Sequence, residues 1–283
     1  MALILTVTLN PAIDITYHVG ELKPGEVHRV SRVDERLGGK GVNVASVLAQ
    51  IGVPAVATGL LRDGAAMFAA HPARPDFFPV AGATRRTVVV TDGRDATGFW
   101  EPGPVITPQE WDGFKAHFSL LLKKSKVVVL SGSLPLGLPD SAYASLIELC
   151  RDAGVASILD TSGAGLRLGV AAGPDIVKPN AEEFADVGAA SSDTVVVASS
   201  GADGLAALGW RARPPRPIEG NPTGAGDACV ASLARGLLHG TEWRDLLRDA
   251  VALSAAAVAS PVAGLADLDL YQKLLPHIVI EES

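Results

Sequence analysis

Cysteine is scarce in this chain of 283 residues, which has two, Cys150 and Cys229, far apart in the sequence. Two distant cysteines cannot form a disulfide framework or a cysteine-based zinc site, so we expect a reducing compartment, most simply the cytoplasm. Basic residues are in deficit, because 24 lysines and arginines face 31 acidic residues, for a net charge of −7. This balance argues against a nucleic-acid partner, which needs a basic face. A small anionic substrate needs only one local basic pocket.

Long uninterrupted apolar runs are missing as well. The segment 251–265 is broken by Pro261 and is too short to span a bilayer. The apolar start, 2–9, lacks the basic residues that precede a signal-peptide core, so we predict a buried strand there and expect no membrane partner. With 48% hydrophobic and 19% charged residues, the composition is typical of a folded globular protein.

Apolar runs alternate with amphipathic segments along the chain. The runs are continuous, which is typical of strands covered on both faces. They lie at 3–9, 55–60, 127–130, 156–159, 175–177 and 194–198. Helices are predicted at 42–51, 107–123 and 139–153, the second opened by a capping box of Thr107 and Glu110. This repetition predicts an α/β fold with a mainly parallel sheet between two layers of helices.

Two segments break this rhythm with strand patterns of period two. Residues 13–36 alternate from Ile15 to Val19 and again around Val27 and Arg29, on either side of a turn at 23–25. Residues 87–100 are typical of a hairpin with its turn at 92–93. We predict that the two segments form a small β-sheet lid that projects from the main sheet.

The strongest chemical signal is the segment that ends at Asp227, where Gly224, Ala225 and Gly226 open an apolar helix. Small residues at a helix start let backbone N–H groups surround an anion, and the helix dipole adds to the attraction. An aspartate there would repel a bound phosphate, but it suits a general base that takes a proton from a hydroxyl during phosphoryl transfer. The same pattern also occurs as an ordinary glycine-rich helix cap.

A second glycine-rich stretch, 38–41, precedes the first helix, in which Asn43 could bond sugar hydroxyls. The stretch is not a Walker A loop, because no Ser or Thr follows its Gly-Lys. It is not a full dinucleotide fingerprint either, which disfavours a nicotinamide dehydrogenase. Asp14 follows the first strand closely, where parallel sheets bind ligands, although an aspartate near a proline is more often a turn residue.

Asn180 and Glu183 follow the strand predicted at 175–177 and lie three residues apart at a helix start. Their oxygens could hold a hydrated Mg²⁺ that bridges nucleotide phosphates. The same spacing is equally typical of an N-cap with an acidic first turn. Both interpretations stay open on spacing alone.

Taken in order, these motifs resemble the PfkB (ribokinase-like) carbohydrate kinase family, most closely its phosphosugar branch, which includes 1-phosphofructokinase and tagatose-6-phosphate kinase. The resemblance covers nearly the whole chain. It is carried by residues 6–14, 38–43, 84–85, 101–104, 131–135, 160–163, 178–183 and 221–227. It implies one kinase domain over residues 1–283, with a three-layer α/β/α fold and a β-sheet lid formed by about 13–36 and 85–101.

The resemblance also implies site residues, with ATP and Mg²⁺ as cofactors. Its catalytic base falls on Asp227, and its anion hole on the backbone of Gly224, Ala225 and Gly226. The implied substrate contacts are Asp14, Arg29, Gly38, Gly39, Lys40, Asn43, Arg85 and Ser133, the last two for the substrate's phosphate. The implied nucleotide contacts are Lys178, Asn180, Ser199, Gly201 and Gly204, and the implied Mg²⁺ contacts, through water, are Asn180 and Glu183. Family members often form homodimers through the lid, which implies a second copy of the chain as a partner.

Basic residues concentrate in or beside the lid segments of this otherwise acidic chain, as a phosphorylated substrate requires. They are Arg29, Arg32, Arg36, Lys40, Arg85 and Arg86. For Arg32, Arg36 and Arg86 we favour the simpler interpretation of solvated charges on a strand face.

Departures from the family pattern concern the sugar pocket and the nucleotide side. Thr87 and Trp100 stand where the family usually has asparagine, and the stretch from Asn180 to Ser199 is short, as if a helix were missing. We expect phosphoryl transfer to a ketohexose phosphate: fructose 1-phosphate, fructose 6-phosphate or tagatose 6-phosphate. Two alternatives stay open: a kinase of an unphosphorylated sugar or nucleoside, and a non-catalytic protein that binds a sugar phosphate or nucleotide.

Overall fold

A seven-stranded parallel sheet forms the centre of the molecule. The computed structural model describes residues 3–63, 73–188 and 190–282 of the chain. From one edge to the other, the strands of this main sheet are β11 (Val195–Val196), β10 (Ile176–Val177), β9 (Ala156–Asp160), β8 (Ser125–Ser131), β1 (Leu3–Thr8), β4 (Ala55–Gly59) and β5 (Arg74–Pro75). Each of them overlaps an apolar run of the sequence except the two-residue edge strand β5.

Neighbouring residues of these strands enter two different hydrophobic cores, because the side chains of a strand alternate between its faces. Ile4 and Val129 belong to one core, whereas Leu5 and Val128 belong to the other, and all four are fully buried. Both faces of the sheet are therefore apolar. This explains why the strands appear in the sequence as continuous apolar runs and not as alternating ones.

Helices cover both faces of the main sheet, which confirms the predicted three-layer α/β/α fold. The core that contains Ile4 is closed by α1 (Lys40–Gln50), α6 (Ala225–His239), α7 (Trp243–Val258) and α8 (Leu268–Leu274). The core that contains Leu5 is closed by α2 (Pro108–Leu122), α3 (Ala142–Asp152), α4 (Gly163–Ala171) and the short α5 (Phe184–Val187). Single 3₁₀ turns lie at Gly201–Asp203 and Leu275–His277. Within the described ranges, every helix falls short of the length and apolar character of a membrane span.

The capping box predicted at the start of α2 is confirmed. The Glu110 N–H donates to Thr107 Oγ1 (3.2 Å), and the Thr107 N–H donates to Glu110 Oε2 (2.8 Å). Two backbone donors that a helix start leaves without partners are satisfied in this way.

A second sheet is antiparallel and consists of β12 (Ala198–Ser199), β13 (Leu205–Ala207), β14 (Trp210–Arg213) and β15 (Val279–Glu282). It corrects the prediction of one strand over 194–198. The chain pairs with β10 as far as Val196 and then leaves the main sheet, so that Ala198 pairs with Ala206 of β13 instead.

The lid sheet has four strands, in the order β3 (Arg32–Gly38), β2 (Ala12–His18), β6 (Arg85–Thr91) and β7 (Ala96–Trp100). They lie in the two segments that the sequence marked for a lid. One part of the prediction is wrong, because residues 27–29 are not in a strand: Val27 is 97% exposed, and the Lys23 N–H turns back to His28 Nε2 (2.8 Å).

Strand register sets which lid residues share a row. Asp14 of β2 lies opposite Arg36 of β3 and Thr87 of β6, and Thr87 lies opposite Trp100 of β7. Since residues directly opposite each other point to the same face of a sheet, these four side chains form one row across the lid.

Candidate active site

A cleft of about 1660 Å³ lies between the lid sheet and the carboxyl edge of the main sheet. Side chains from four places converge on it: the row of lid residues, the start of α1, the ends of β9 and β10, and the start of α6. The loop 259–264 between α7 and α8 contributes to a further wall through Pro261, Val262 and Ala263. The carboxyl edge of a parallel sheet is where α/β proteins bind their ligands.

Asp227 lies in the first turn of α6, and its side chain is buried at the cleft wall. Asn43 of α1 donates from Nδ2 to Asp227 Oδ2 at 2.8 Å. Burial and the nearby charge of Asp160 raise the pKa of Asp227 to about 6, against the Asn43 hydrogen bond and the charges of Lys40 and Lys178, which lower it. A carboxylate with a pKa near neutrality is suited to accept a proton at pH 7.

The backbone just before Asp227 is shaped for an anion. Gly224 caps α6 in the left-handed region, with φ +91°, and a Cβ built on it would lie 2.7 Å from Ala263 Cα, so only glycine fits. The N–H groups of Gly224, Gly226 and Asp227 donate to no acceptor in the described part of the chain, whereas the Ala225 N–H donates to the Pro222 carbonyl (3.2 Å). The predicted anion hole is therefore open at Gly224 and Gly226 and engaged at Ala225.

Asp160, the last residue of β9, is a buried carboxylate shared by two lysines. Its Oδ1 atom lies 3.3 Å from Lys40 Nζ and 3.2 Å from Lys178 Nζ, and its Oδ2 atom is buried without a hydrogen-bond partner among the described residues. Burial would raise the pKa of Asp160, but the two ammonium charges hold it below its ordinary value. For Lys178, burial would lower the pKa, but the charge of Asp160 raises it. Asp160 and Lys178 are therefore both charged at neutral pH.

The two lysines place positive charge beside the start of α6. A Cβ built on Gly226 would lie 3.7 Å from Lys178 Nζ, so this ammonium group is adjacent to the open N–H groups. Lys40 and Lys178 were predicted as site residues from the sequence, whereas Asp160 was given no role. An aspartate that ends a buried apolar run was the available signal.

Asn180 and Glu183 bond to each other's backbone. Asn180 Oδ1 accepts from the N–H groups of Glu182 (2.9 Å) and Glu183 (2.8 Å), and the Asn180 N–H donates to Glu183 Oε2 (3.0 Å). This is the N-cap arrangement that the spacing allowed. Both residues also line the cleft, and Glu183 Oε1 accepts no hydrogen bond within the described ranges.

The residues present at this pair are compatible with a divalent cation held through water. No cluster of three or more histidine, cysteine or acidic side chains suited to a metal occurs in the part of the chain that the structure describes. Mg²⁺ keeps several waters when it binds proteins through one or two carboxylates and substrate phosphates. Glu183 Oε1 and Asn180 Oδ1 are the oxygens that could contact those waters.

Asp14 and the two glycines before Lys40 pack closely at the lid end of the cleft. A Cβ on Gly38 would lie 2.0 Å from Asp14 Oδ2, and one on Gly39, at φ +115°, would lie 2.7 Å from Thr8 Cγ2. Burial raises the pKa of Asp14, while Arg36 and Arg85 oppose the shift by their charge and Thr87 by a hydrogen bond. Gly38 leaves the Asp14 carboxylate the room that it occupies, and Gly39 allows the close approach to Thr8.

Arg85 is held by two carbonyls at the start of β6. Its Nε donates to the Asn10 carbonyl (3.1 Å) and its Nη1 to the Glu101 carbonyl (3.3 Å). Asn10 in turn donates from Nδ2 to Ser133 Oγ (3.2 Å), so Asn10 links the two residues predicted to meet a substrate phosphate. Arg85 lines the cleft, whereas Ser133 is not among the cleft-lining residues and is connected to Arg85 through Asn10.

The other lid arginines divide into three groups. Arg29 is exposed and is not among the cleft-lining residues, so the structure does not bring it to the site. Arg32 pairs with Asp34, and Arg86 pairs with Glu101, as expected for solvated strand charges. Arg32 and Arg36 both line the cleft, but Arg36 differs from that expectation, because it lies 3.5 Å from Asp14 Oδ2 and donates to the Ala263 carbonyl.

Trp100 and Thr87 are neighbours in the lid row and both line the cleft. The Trp100 side chain covers Gly98, since a Cβ there would lie 2.4 Å from its Cη2 atom, yet Trp100 is 68% exposed. The indole therefore lies on the cleft face of the lid, separated from Asp14 by Thr87. It presents an apolar plane to whatever occupies this end.

The opposite end of the cleft is walled by glycine turns and apolar side chains. Ser199, Gly201 and Gly204 all line it, and Gly204, at φ +87°, has no room for a side chain because a Cβ would lie 2.0 Å from the Ala212 carbonyl oxygen. The apolar wall includes Val251, Ala255, Val258 and Val262. A flat aromatic base has the shape and polarity for such a wall.

Residues 7–268, most of the chain, match the model of the pfkB family carbohydrate kinases.

Solved structures with this fold are similar over nearly the full length. A possible 1-phosphofructokinase from Thermotoga maritima is 26% identical, with a TM-score of 0.87 and 99% of each chain covered. Phosphofructokinase-2 from Escherichia coli, in complex with fructose-6-phosphate, is 23% identical, with a TM-score of 0.85 over 98% of this chain and 99% of that one. Ribokinase from Arabidopsis thaliana, complexed with ribose and ATP, is 20% identical, with a TM-score of 0.70 over 97% and 99%. The latter two demonstrate the shared fold.

Replacing Asp160 by asparagine tests the shared carboxylate. Asp160→Asn keeps the shape but leaves the Lys178 ammonium buried without its counter-charge, so we expect a loss of about 3–5 kcal/mol in the free energy of unfolding. Urea denaturation measures this loss. Asp140→Asn, an exposed aspartate outside the cleft, is the matched control and should change stability by less than about 0.5 kcal/mol. An equal effect of the two variants would contradict the role given to Asp160.

Proposed function

Since this chain belongs to the pfkB family of carbohydrate kinases, it is a phosphotransferase that acts on a sugar hydroxyl, and we propose that ATP is its donor and a ketohexose phosphate its acceptor. The observation that carries the proposal is one cleft in which Asp227 and the open N–H groups of α6 face the lid residues Asp14 and Arg85. The similarity to a possible 1-phosphofructokinase supports a phosphosugar of the fructose or tagatose type.

The acceptor hydroxyl loses its proton to Asp227. As the proton moves to a carboxylate oxygen, the hydroxyl oxygen forms a bond to the γ-phosphorus of ATP, and the bond between that phosphorus and the ADP oxygen breaks. Asn43, which donates to Asp227 Oδ2, holds the carboxylate in one orientation and leaves Oδ1 to receive the proton. The products are ADP and a sugar bisphosphate.

The negative charge on the transferred phosphoryl group is stabilised by hydrogen-bond donors and cations of the chain itself. The N–H groups of Gly224 and Gly226 stand at the positive end of the α6 dipole, and Lys178 lies beside Gly226. Lys40, at the start of α1, adds a second ammonium group that is held by its ion pair with Asp160. The Ala225 N–H joins this set only if it leaves the Pro222 carbonyl.

Asn180 and Glu183 are the residues that we propose to hold the waters of a Mg²⁺ ion, and Ser199, Gly201 and Gly204 to lie along the nucleotide. A bound Mg²⁺ supplies positive charge that neutralises the phosphate oxygens of the donor. The charge of Asp160, with a smaller contribution from Glu183, raises the pKa of Lys178 against the effect of burial and keeps that ammonium group charged next to the phosphates.

Sugar recognition is assigned to the lid end. Asp14 accepts hydrogen bonds from sugar hydroxyls beside the backbone of Gly38 and Gly39, and Arg85 forms a charge-assisted bond to the substrate's own phosphate, with Ser133 beside it. Arg29 is left out because it lies outside the cleft. The exposed plane of Trp100 favours a second candidate, transfer to an unphosphorylated sugar or nucleoside, which could stack on the indole.

The homodimer through the lid stays a prediction. Its support is the outer face of the lid sheet, where Tyr17, Val33, Val88, Val90 and Phe99 lie away from the cleft. Phe99 is 59% exposed and Val33 is 53% exposed, which is unusual for large apolar side chains grouped on one sheet face.

The proposed chemistry is tested by incubating the purified protein with ATP, Mg²⁺ and a panel of fructose and tagatose phosphates. We expect ADP and a bisphosphate to form, and Asp227→Asn to lower kcat by about 10²–10⁴-fold, because the amide cannot accept the proton. Asp140→Asn serves as the charge-matched control. Near-full kcat in Asp227→Asn would sink the mechanism, and binding without turnover on the whole panel would favour the non-catalytic alternative.

The class of acceptor is tested by Arg85→Ala. If the acceptor carries a phosphate, loss of the charge-assisted bonds should raise the KM for it by about 10–100-fold and leave the KM for ATP unchanged. Arg86→Ala removes the neighbouring arginine, which pairs with Glu101 outside the cleft, and should change neither constant. A KM that Arg85→Ala leaves unaltered would point to an unphosphorylated acceptor.

The pH profile reports on Asp227. The base must be ionised, so kcat/KM should fall as the pH drops through about 6, the pKa of Asp227. Asn43→Ala removes a hydrogen bond that lowers this pKa, so its acid limb should move to higher pH. Ionisation of the substrate phosphate is common to both proteins and cancels in the comparison. An acid limb that does not move, or moves to lower pH, contradicts the assignment of Asp227 as base.

A further inference from the structure

Arg36 bonds to both walls of the cleft. It belongs to β3 in the lid, where it lies directly opposite Asp14, and its Nη2 atom is 3.5 Å from Asp14 Oδ2. Its Nη1 atom donates to the carbonyl of Ala263 at 2.5 Å, across 227 positions of sequence. Among the hydrogen bonds of the described residues, this is the one that joins the lid sheet to the loop 259–264.

That loop is in turn built onto the start of α6. Asn221 donates from Nδ2 to the Pro261 carbonyl (3.2 Å), and its N–H donates to the Val258 carbonyl (2.8 Å). Ala263 packs so closely on Gly224 that a Cβ there would lie 2.7 Å from Ala263 Cα. The carbonyl that Arg36 contacts therefore belongs to the wall behind the anion hole.

The same loop also reaches the residue that orients the base. A Cβ on Gly264 would lie 3.0 Å from Asn43 Oδ1, and the Gly264 carbonyl accepts from Gln50 Nε2 (2.7 Å), which fixes the loop to α1. Movement of the loop would therefore displace both the N–H groups of α6 and the Asn43–Asp227 pair.

We propose that Arg36 is a positioning residue that fixes the lid, and with it the sugar contact Asp14, at a set distance from the anion hole of α6. The inference rests on the proposed phosphoryl transfer and adds a residue that its roles do not include. A reaction between a hydroxyl held on the lid and a phosphoryl group held on the main sheet depends on that distance, since misplacement by about 1 Å can lower a rate 100-fold.

The chemistry of the side chain supports this role. A guanidinium group has five donors in a rigid plane, so it can bond a carboxylate on one edge and a carbonyl on another at the same time. A lysine ammonium group at the same place could keep the charge next to Asp14 but has no fixed fork to span both walls.

The test measures, for Arg36→Gln, the kcat of sugar-dependent transfer and the ratio of free phosphate to sugar product. We expect kcat to fall by about 10–100-fold. The ratio should rise several-fold, because a lid that is not tied down admits water, which replaces the sugar hydroxyl as the acceptor. Arg36→Lys, which keeps the charge, should show the same raised ratio.

Arg32→Gln is the matched control. Arg32 lies on the same face of β3, four residues before Arg36, and pairs with Asp34. It should leave both kcat and the ratio unchanged. A higher sugar KM in Arg36→Gln with unchanged kcat and ratio would overturn the proposal, because Arg36 would then be a simple binding contact. Values equal to those of the unaltered protein overturn it as well.

Hydrogen exchange of the ligand-free protein separates this inference from the proposed function. Arg36→Gln should speed amide exchange in residues 259–266, and Arg32→Gln should not. If the unaltered protein transfers no phosphoryl group but the exchange difference is present, the proposed function fails and the link between lid and loop stands. If transfer occurs and exchange is the same in all variants, the inference fails alone. Should Arg36→Gln not fold, Arg36→Lys is measured in its place.

Discussion

Two ammonium groups, those of Lys40 and Lys178, share one oxygen of the Asp160 carboxylate. Asp160 and Lys178 are buried, whereas the Lys40 side chain is partly exposed. Burying such a cluster gives little net stability, because the loss of hydration offsets the attraction. Its effect is geometric: it brings the start of α1 and the ends of β9 and β10 to one point. The charge of the same carboxylate adds to the effect of burial in raising the pKa of Asp227, so one group both holds the cations in place and helps to tune the proposed base.

The main sheet was predictable because burial on both faces leaves a strong mark in the sequence. Ile4 and Leu5 enter different cores, so apolar residues predominate in both alternating sets. Short strands gave weaker marks. The run at 194–198 passes from one sheet to another without a change in apolar character, and the alternation around Val27 comes from an exposed loop. A local sequence pattern does not specify which strand a segment pairs with, and that pairing determines the structure in both cases.

The candidate site was predictable where one segment supplies both shape and chemistry, as the glycines before Asp227 do. Arg36 was misjudged as a solvated charge because its partners, Asp14 and Ala263, come from other parts of the chain and meet it through strand register. Asp160 was missed for the same reason, since its meaning depends on two distant lysines. The spacing of Asn180 and Glu183 was compatible with a cap and with a contact to Mg²⁺. The structure contains the capped turn, and both residues also line the cleft.

The row that carries Trp100 has a consequence for how the pocket can change over generations. The antiparallel partners β6 and β7 meet at a turn, residues 92–95, between Thr91 and Ala96. Inserting or deleting one residue in that turn would slip β7 by one position and exchange its two faces. Phe99 would then enter the cleft and the indole would move to the outer surface. The width of the sugar pocket is thus encoded in the length of a distant surface turn as well as in the residues that line it.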